Sequence, residues 1–76
     1  METSYEAAIS EDLDVSTRVD GNLTLQRGVY LVRTLFDELG QRDGAILWKI
    51  NKPAAPIRLT KTQYDALDGS RLFEKL

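Results

Sequence analysis

Carboxylates are the side chains best spaced for acid–base chemistry in this sequence: Glu11, Asp12 and Asp14 cluster near the start, and Asp37 adjoins Glu38. One member of such a pair can act as a general acid if burial raises its pKa while the other stays ionised. Asp37 and Glu38, however, fall on the polar side of an apolar stripe, and the Glu11–Asp14 cluster sits where an exposed strand entry is expected, so solvated charge is the expectation at both. The same cluster offers oxygen donors to a hard cation but lacks the glycine and ligand spacing of a calcium loop. The absence of His and Cys removes zinc fingers, disulfides, thiolate nucleophiles and the one side chain that titrates near neutrality. The five glycines form no phosphate-cradling loop. No cofactor and no metal are expected, and the chain is not expected to be an enzyme.

Charge is more informative. Residues 1–22 carry six carboxylates against Arg18 alone, whereas residues 23–76 carry nine basic and six acidic groups. Arg42, Lys49, Lys52, Arg58 and Lys61 are concentrated in one stretch against Asp43. If they shared a hairpin face they would form a footprint for an acidic protein or for nucleic acid. Edge-strand lysines that block aggregation give the same pattern. Tyr30, Arg33 and Asp37 lie off the main apolar stripe and form a second candidate recognition strip.

The elements that would position these groups follow from periodicity. Tyr5, Ala7 and Ile9 alternate as a strand, while Thr3-x-x-Glu6 suits a capped helical turn, so residues 1–12 stay open as a flexible or ambiguous acidic segment. Leu13, Val15, Thr17 and Val19 alternate with polar residues and predict a strand ended by Asp20-Gly21-Asn22. Asn22-Leu23-Thr24 matches the glycosylation tripeptide but reads as turn chemistry. Leu25, Val29, Val32, Phe36 and Leu39 recur at spacings of four and three, which predicts an amphipathic helix over about 24–39 closed by Gly40. Gly28 inside it would permit a close approach.

Residues 45–50 predict a second strand, with Ile46, Trp48 and Ile50 inward. A loop through Pro53 and Pro56 leads to a short strand at Ile57–Leu59. Thr60-Lys61-Thr62-Gln63 is a capping box that starts a helix presenting Tyr64 and Leu67 inward, and a last turn is expected to bury Leu72, Phe73 and Leu76. The expected fold is therefore α+β: a small sheet of about three strands with one long amphipathic helix on it and a short C-terminal helical segment, in a single domain over 13–76. Both faces of the second strand are partly apolar, so the far face needs cover from the C-terminal helices or a second copy.

At 76 residues the chain supports one small core, and its formal charge of -2 gives no bulk attraction to nucleic acid or anionic lipid. The longest strictly apolar run, Ala45 to Trp48, is far too short to span a bilayer. Nothing in Met1–Ser10 resembles a signal peptide, and cysteine is absent, so a cytoplasmic protein is expected. A small core of marginal stability favours a homodimer. The expected function is that of a small non-enzymatic interaction module, an accessory or regulatory protein of bacterial or phage type that binds a larger protein through Arg42, Lys49, Lys52, Arg58 and Lys61. The alternative is a nucleic-acid-binding regulator using the basic hairpin 45–61.

Overall fold

The computed structural model describes residues 4–52 and 54–76, and in it the predicted long helix is a strand. Its elements run β1 (Ser4–Ile9), β2 (Leu13–Asp14), β3 (Thr24–Leu25), β4 (Gly28–Phe36), β5 (Arg42–Lys49), β6 (Ile57–Leu59), α1 (Lys61–Asp68) and β7 (Phe73–Lys75). Where the spacing predicted a helix over about 24–39, β4 alternates instead: Tyr30 and Val32 are buried, whereas Val29 and Leu31 are 39% and 38% exposed. The residue types favour this outcome. Val29, Tyr30, Val32, Thr34 and Phe36 are β-branched or aromatic, which suits a pleated surface and loses rotamer freedom in a helix. Leu39, placed on the helix's buried stripe, is 82% exposed in a turn. Asp37-Glu38-Leu39-Gly40 has Asp first and Gly fourth, and the Gly40 N–H donates to the Asp37 carbonyl at 3.0 Å, so this segment is the β4–β5 hairpin turn.

A five-stranded antiparallel sheet in the order β6-β5-β4-β1-β7 replaces the three strands expected, and β2 pairs separately with β3. Residues 4–9 of the open N-terminal segment take the strand alternative, and β1 lies between β4 and β7. Thr3 of the alternative capping box and Pro53 of the predicted loop lie outside the described residues. The strand predicted over residues 13–19 is reduced to β2 plus a Thr17–Gly21 bridge, and Val19 at the hairpin tip is 87% exposed. The α1 capping box forms as expected: Gln63 N–H donates to Thr60 Oγ1 at 3.2 Å, and Thr60 N–H donates to Gln63 Oε1 at 3.0 Å. Beyond α1 the predicted final helical turn is β7, which pairs with β1 and leaves Leu76 exposed.

The core occupies one side of the sheet. Ala7, Ile9, Tyr30, Val32, Ala45, Leu47 and Leu59 project from it against Tyr64 and Leu67 of α1 and against Leu13, Val15 and Leu25. Thr60 Oγ1 also donates to Asp20 Oδ2 at 2.7 Å, tying the β2–β3 hairpin to the start of α1. The phase of β5 is the reverse of the one expected: Ala45 and Leu47 are fully buried, whereas Ile46, Trp48 and Ile50 are half-buried and take no part in packing against the core. Leu47, on the face expected to need cover from the C-terminal helices or a second copy, is covered within this chain by a core that includes Tyr64 and Leu67 of α1.

Candidate functional site

The predicted basic footprint does not assemble. Arg42 Nη2 lies 2.9 Å from Asp65 and Nη1 3.3 Å from Asp68, with the guanidinium carbon 5.0 Å from the Tyr64 ring centre. Burial works against this charge, but Asp65 and Asp68 outweigh it and hold the Arg42 pKa above its ordinary value. Arg42 thus clamps β5 to α1. Lys49 lies on the Leu47 side of β5, and Arg58, paired in register with Ile46, lies on the other. Lys61 is exposed at the first position of α1.

Lys49 and Lys52 turn to one acceptor, with their Nζ atoms 3.5 and 3.3 Å from Gln26 Oε1. Gly28 makes room for this: at φ +148 it has no Cβ, and one added there would stand 2.6 Å from Lys49 Cε. The close approach expected at Gly28 is therefore that of a lysine stem. Thr24, Gln26, Tyr30, Lys49, Lys52 and Ile57 help to line an adjoining cleft of about 190 Å3. That is below the roughly 300 Å3 at which small-molecule sites begin.

The second predicted strip is dispersed as well. Tyr30 is buried, and its hydroxyl donates to the Gln26 carbonyl at 2.6 Å; burial and then Asp12 raise its pKa. Asp37 accepts from the Leu39 and Gln41 N–H groups, each at 2.9 Å, and shapes the hairpin turn. Arg33 stands on the sheet face away from the core. The N-terminal carboxylates serve the backbone too: Asp12 accepts from Arg27 N–H at 2.9 Å, and Asp14 accepts from Ser16 N–H at 2.8 Å and from its hydroxyl, which lowers the Asp14 pKa.

Two groupings escape a reading of the sequence. Tyr5 and Tyr64 hydroxyls meet at 2.6 Å, and Thr34 Oγ1 lies 3.1 Å from Tyr64. Burial and then Tyr64 push the Tyr5 pKa far above its ordinary value of 10.0, so this phenol stays protonated and cannot serve as a base near neutrality. Because the folded pKa is the higher one, the stabilisation is complete below pH 10 and falls as pH rises beyond it. Stability measured by denaturant titration should therefore decline above about pH 10 in the wild type and decline less steeply in Tyr5→Phe. Equal slopes would show that the pair does not govern alkaline stability.

The other grouping is the open sheet face. Ala8, Val29, Leu31, Ile46, Trp48 and Ile50 form a continuous apolar patch on it, bordered by Glu6, Arg33, Arg58 and Glu74. The elements of the second layer, α1, β2 and β3, all contribute to the core on the opposite side of the sheet, and within the patch Val29 and Leu31 are exposed while the other four are half-buried. Its sequence signal is strict alternation in β4, masked by apolar residues in both phases. Comparison with known proteins returns no matching family model, no matching curated protein and no matching solved structure.

Proposed function

We propose that this protein is a small non-enzymatic interaction module of the cytoplasm, an accessory or regulatory protein that acts through protein–protein contact at the open face of its sheet. The observation that carries this reading is the apolar patch centred on Leu31 and Trp48, with Val29 and Leu31 more than a third exposed. Contiguous apolar surface of this kind on a small chain marks an interaction site, since scattered apolar residues are ordinary and a filled sheet face is not. A central tryptophan among aliphatic residues, with charges at the rim, is the composition of a binding hot spot. The helix and β2–β3 hairpin keep the opposite face dry, so the fold presents the contact surface on a rigid sheet. No helix among the described residues is long and apolar enough to cross a membrane.

Leu31→Glu tests this directly. Residue 31 projects away from the core, so the variant should keep the wild-type far-UV spectrum and lose about 1–2 kcal/mol, part of it to the like charge of Glu6 directly opposite. Affinity-tagged wild type expressed in its native host should retain a protein in stoichiometric yield, copies of itself included, and Leu31→Glu should lose it. Equal retention by a folded Leu31→Glu would overturn the reading.

A further inference from the structure

We infer that the occupant of the open face is a second copy of this chain, placed by a two-fold axis that lies between two facing sheets and runs obliquely to their strands. The inference rests on the reading of this face as a contact surface and adds the partner and its orientation. The register supplies the geometry. Arg58, Ile46, Arg33 and Ser4 form one row across β6, β5, β4 and β1; Trp48, Leu31 and Glu6 form the next; Val29, Ala8 and Glu74 form the third, with Ile50 beside Val29. Arg58 and Glu74 therefore mark opposite corners, and Leu31 stands midway between them. None of the ion pairs among the described residues uses Glu6, Arg33, Arg58 or Glu74.

With strands about 4.8 Å apart and same-face residues about 7 Å apart along each strand, Arg58 and Glu74 are separated by more than about 20 Å, too far to pair within one chain. An axis through Leu31 and perpendicular to the line joining those corners lays Arg58 over Glu74 of the second copy, twice by symmetry. The same operation brings Arg33 close to Glu6 of the second copy and lays Trp48 between its Leu31 and Val29. One rotation thus satisfies both pairs of opposite charges and stacks the apolar centres, as an isologous interface requires. The strands of the two copies cross steeply, toward the orthogonal class of sheet packing. A face about 20 Å on each side gives roughly 400 Å2 per copy, about half the ~800 Å2 of a standard interface, so the dimer exchanges with monomer.

Sedimentation equilibrium of the intact chain over a concentration series tests this. The mass should rise from one chain to two, and Leu31→Glu should hold it at one. Arg58→Glu and Glu74→Arg should each weaken dimerisation by about tenfold or more, because each places like charges opposite one another at both ends of the interface. Mixed in equal amounts, the two variants should recover the wild-type dimer. At one end the glutamate introduced at position 58 then faces the arginine introduced at position 74 of the other chain, and at the other end the native pair meets. Far-UV spectra establish that every variant is folded. Failure of the mixed variants to recover a dimer would overturn the proposed axis. A wild type that stays at one chain mass while Leu31-dependent capture of a different protein persists would overturn the second copy and leave the contact surface standing; loss of both would overturn the two readings together.

Discussion

Gly44→Ala is expected to lose about 2–5 kcal/mol, a large share of the stability of so small a domain, and to leave much of the chain unfolded. Gly44 sits in the interior of β5 at φ +123, a conformation that side-chain-bearing residues rarely adopt. A Cβ there would collide with the backbone carbonyl oxygen of Leu59 and stand 3.3 Å from the Thr60 carbonyl carbon. Neither neighbour can yield cheaply, because Leu59 is held in the β5–β6 pairing and Thr60 caps α1. The site also adjoins the irregularity in the β4–β5 register, where Leu35 pairs with Gly44 and Phe36 with Arg42. Gly40→Ala is the matched comparison: its φ is +77 but nothing among the described residues lies within 4 Å of the added Cβ, so backbone strain alone should cost about 1–2 kcal/mol. Denaturant midpoints of the two variants measure the difference. Equal losses would show that the collision with β6 and the α1 cap does not matter.

What could be read from the sequence was local. The Thr60–Gln63 capping box needs only neighbours three residues apart, and it forms with both of its hydrogen bonds. Asp20-Gly21 is likewise a short-range turn, whereas the Asp37-Glu38-Leu39-Gly40 turn is not legible as one, because the apolar spacing before it makes it resemble a helix end. The fold was misread at β4, and the cause is physical. Val29 and Leu31 on the open face alternate with Tyr30 and Val32 on the core face, so apolar residues fill both phases and a helical spacing can be traced through them. A strand with a solvated polar outer face would have shown its period clearly. The surface proposed as functional is therefore what hid the strand, consistent with local rules failing where a sequence serves a binding face. The basic cluster failed for a different reason. Arg42 is drawn away by Asp65 and Asp68, more than twenty residues later, and no local pattern foretells that clamp.

The phase of β5 gives the second large effect. Leu47→Ala should cost about 2–5 kcal/mol, because the side chain is fully buried among residues from both layers and its loss leaves a cavity. Trp48→Ala, one residue along, should cost the isolated chain about 2 kcal/mol, less than its bulk would cost in the core, since the ring is half-buried beside Leu31 and is no member of the core cluster. Size alone argues the opposite, because Trp48, Ile46 and Ile50 are together bulkier than Ala45 and Leu47, and by bulk they belong inside. Pairing decides the matter: Leu47 is opposite Val32 and Ile57, both on the core side, whereas Trp48 is opposite Leu31. Thermal and denaturant unfolding followed by far-UV circular dichroism, at concentrations that keep the chain monomeric, compares the pair without relying on the tryptophan as a probe. Trp48→Ala should nonetheless abolish self-association, separating a residue that holds the contact from one that holds the fold. If Trp48→Ala unfolds the chain as severely as Leu47→Ala, the ring is core, the sheet has no free apolar face, and the dimer built on it falls as well.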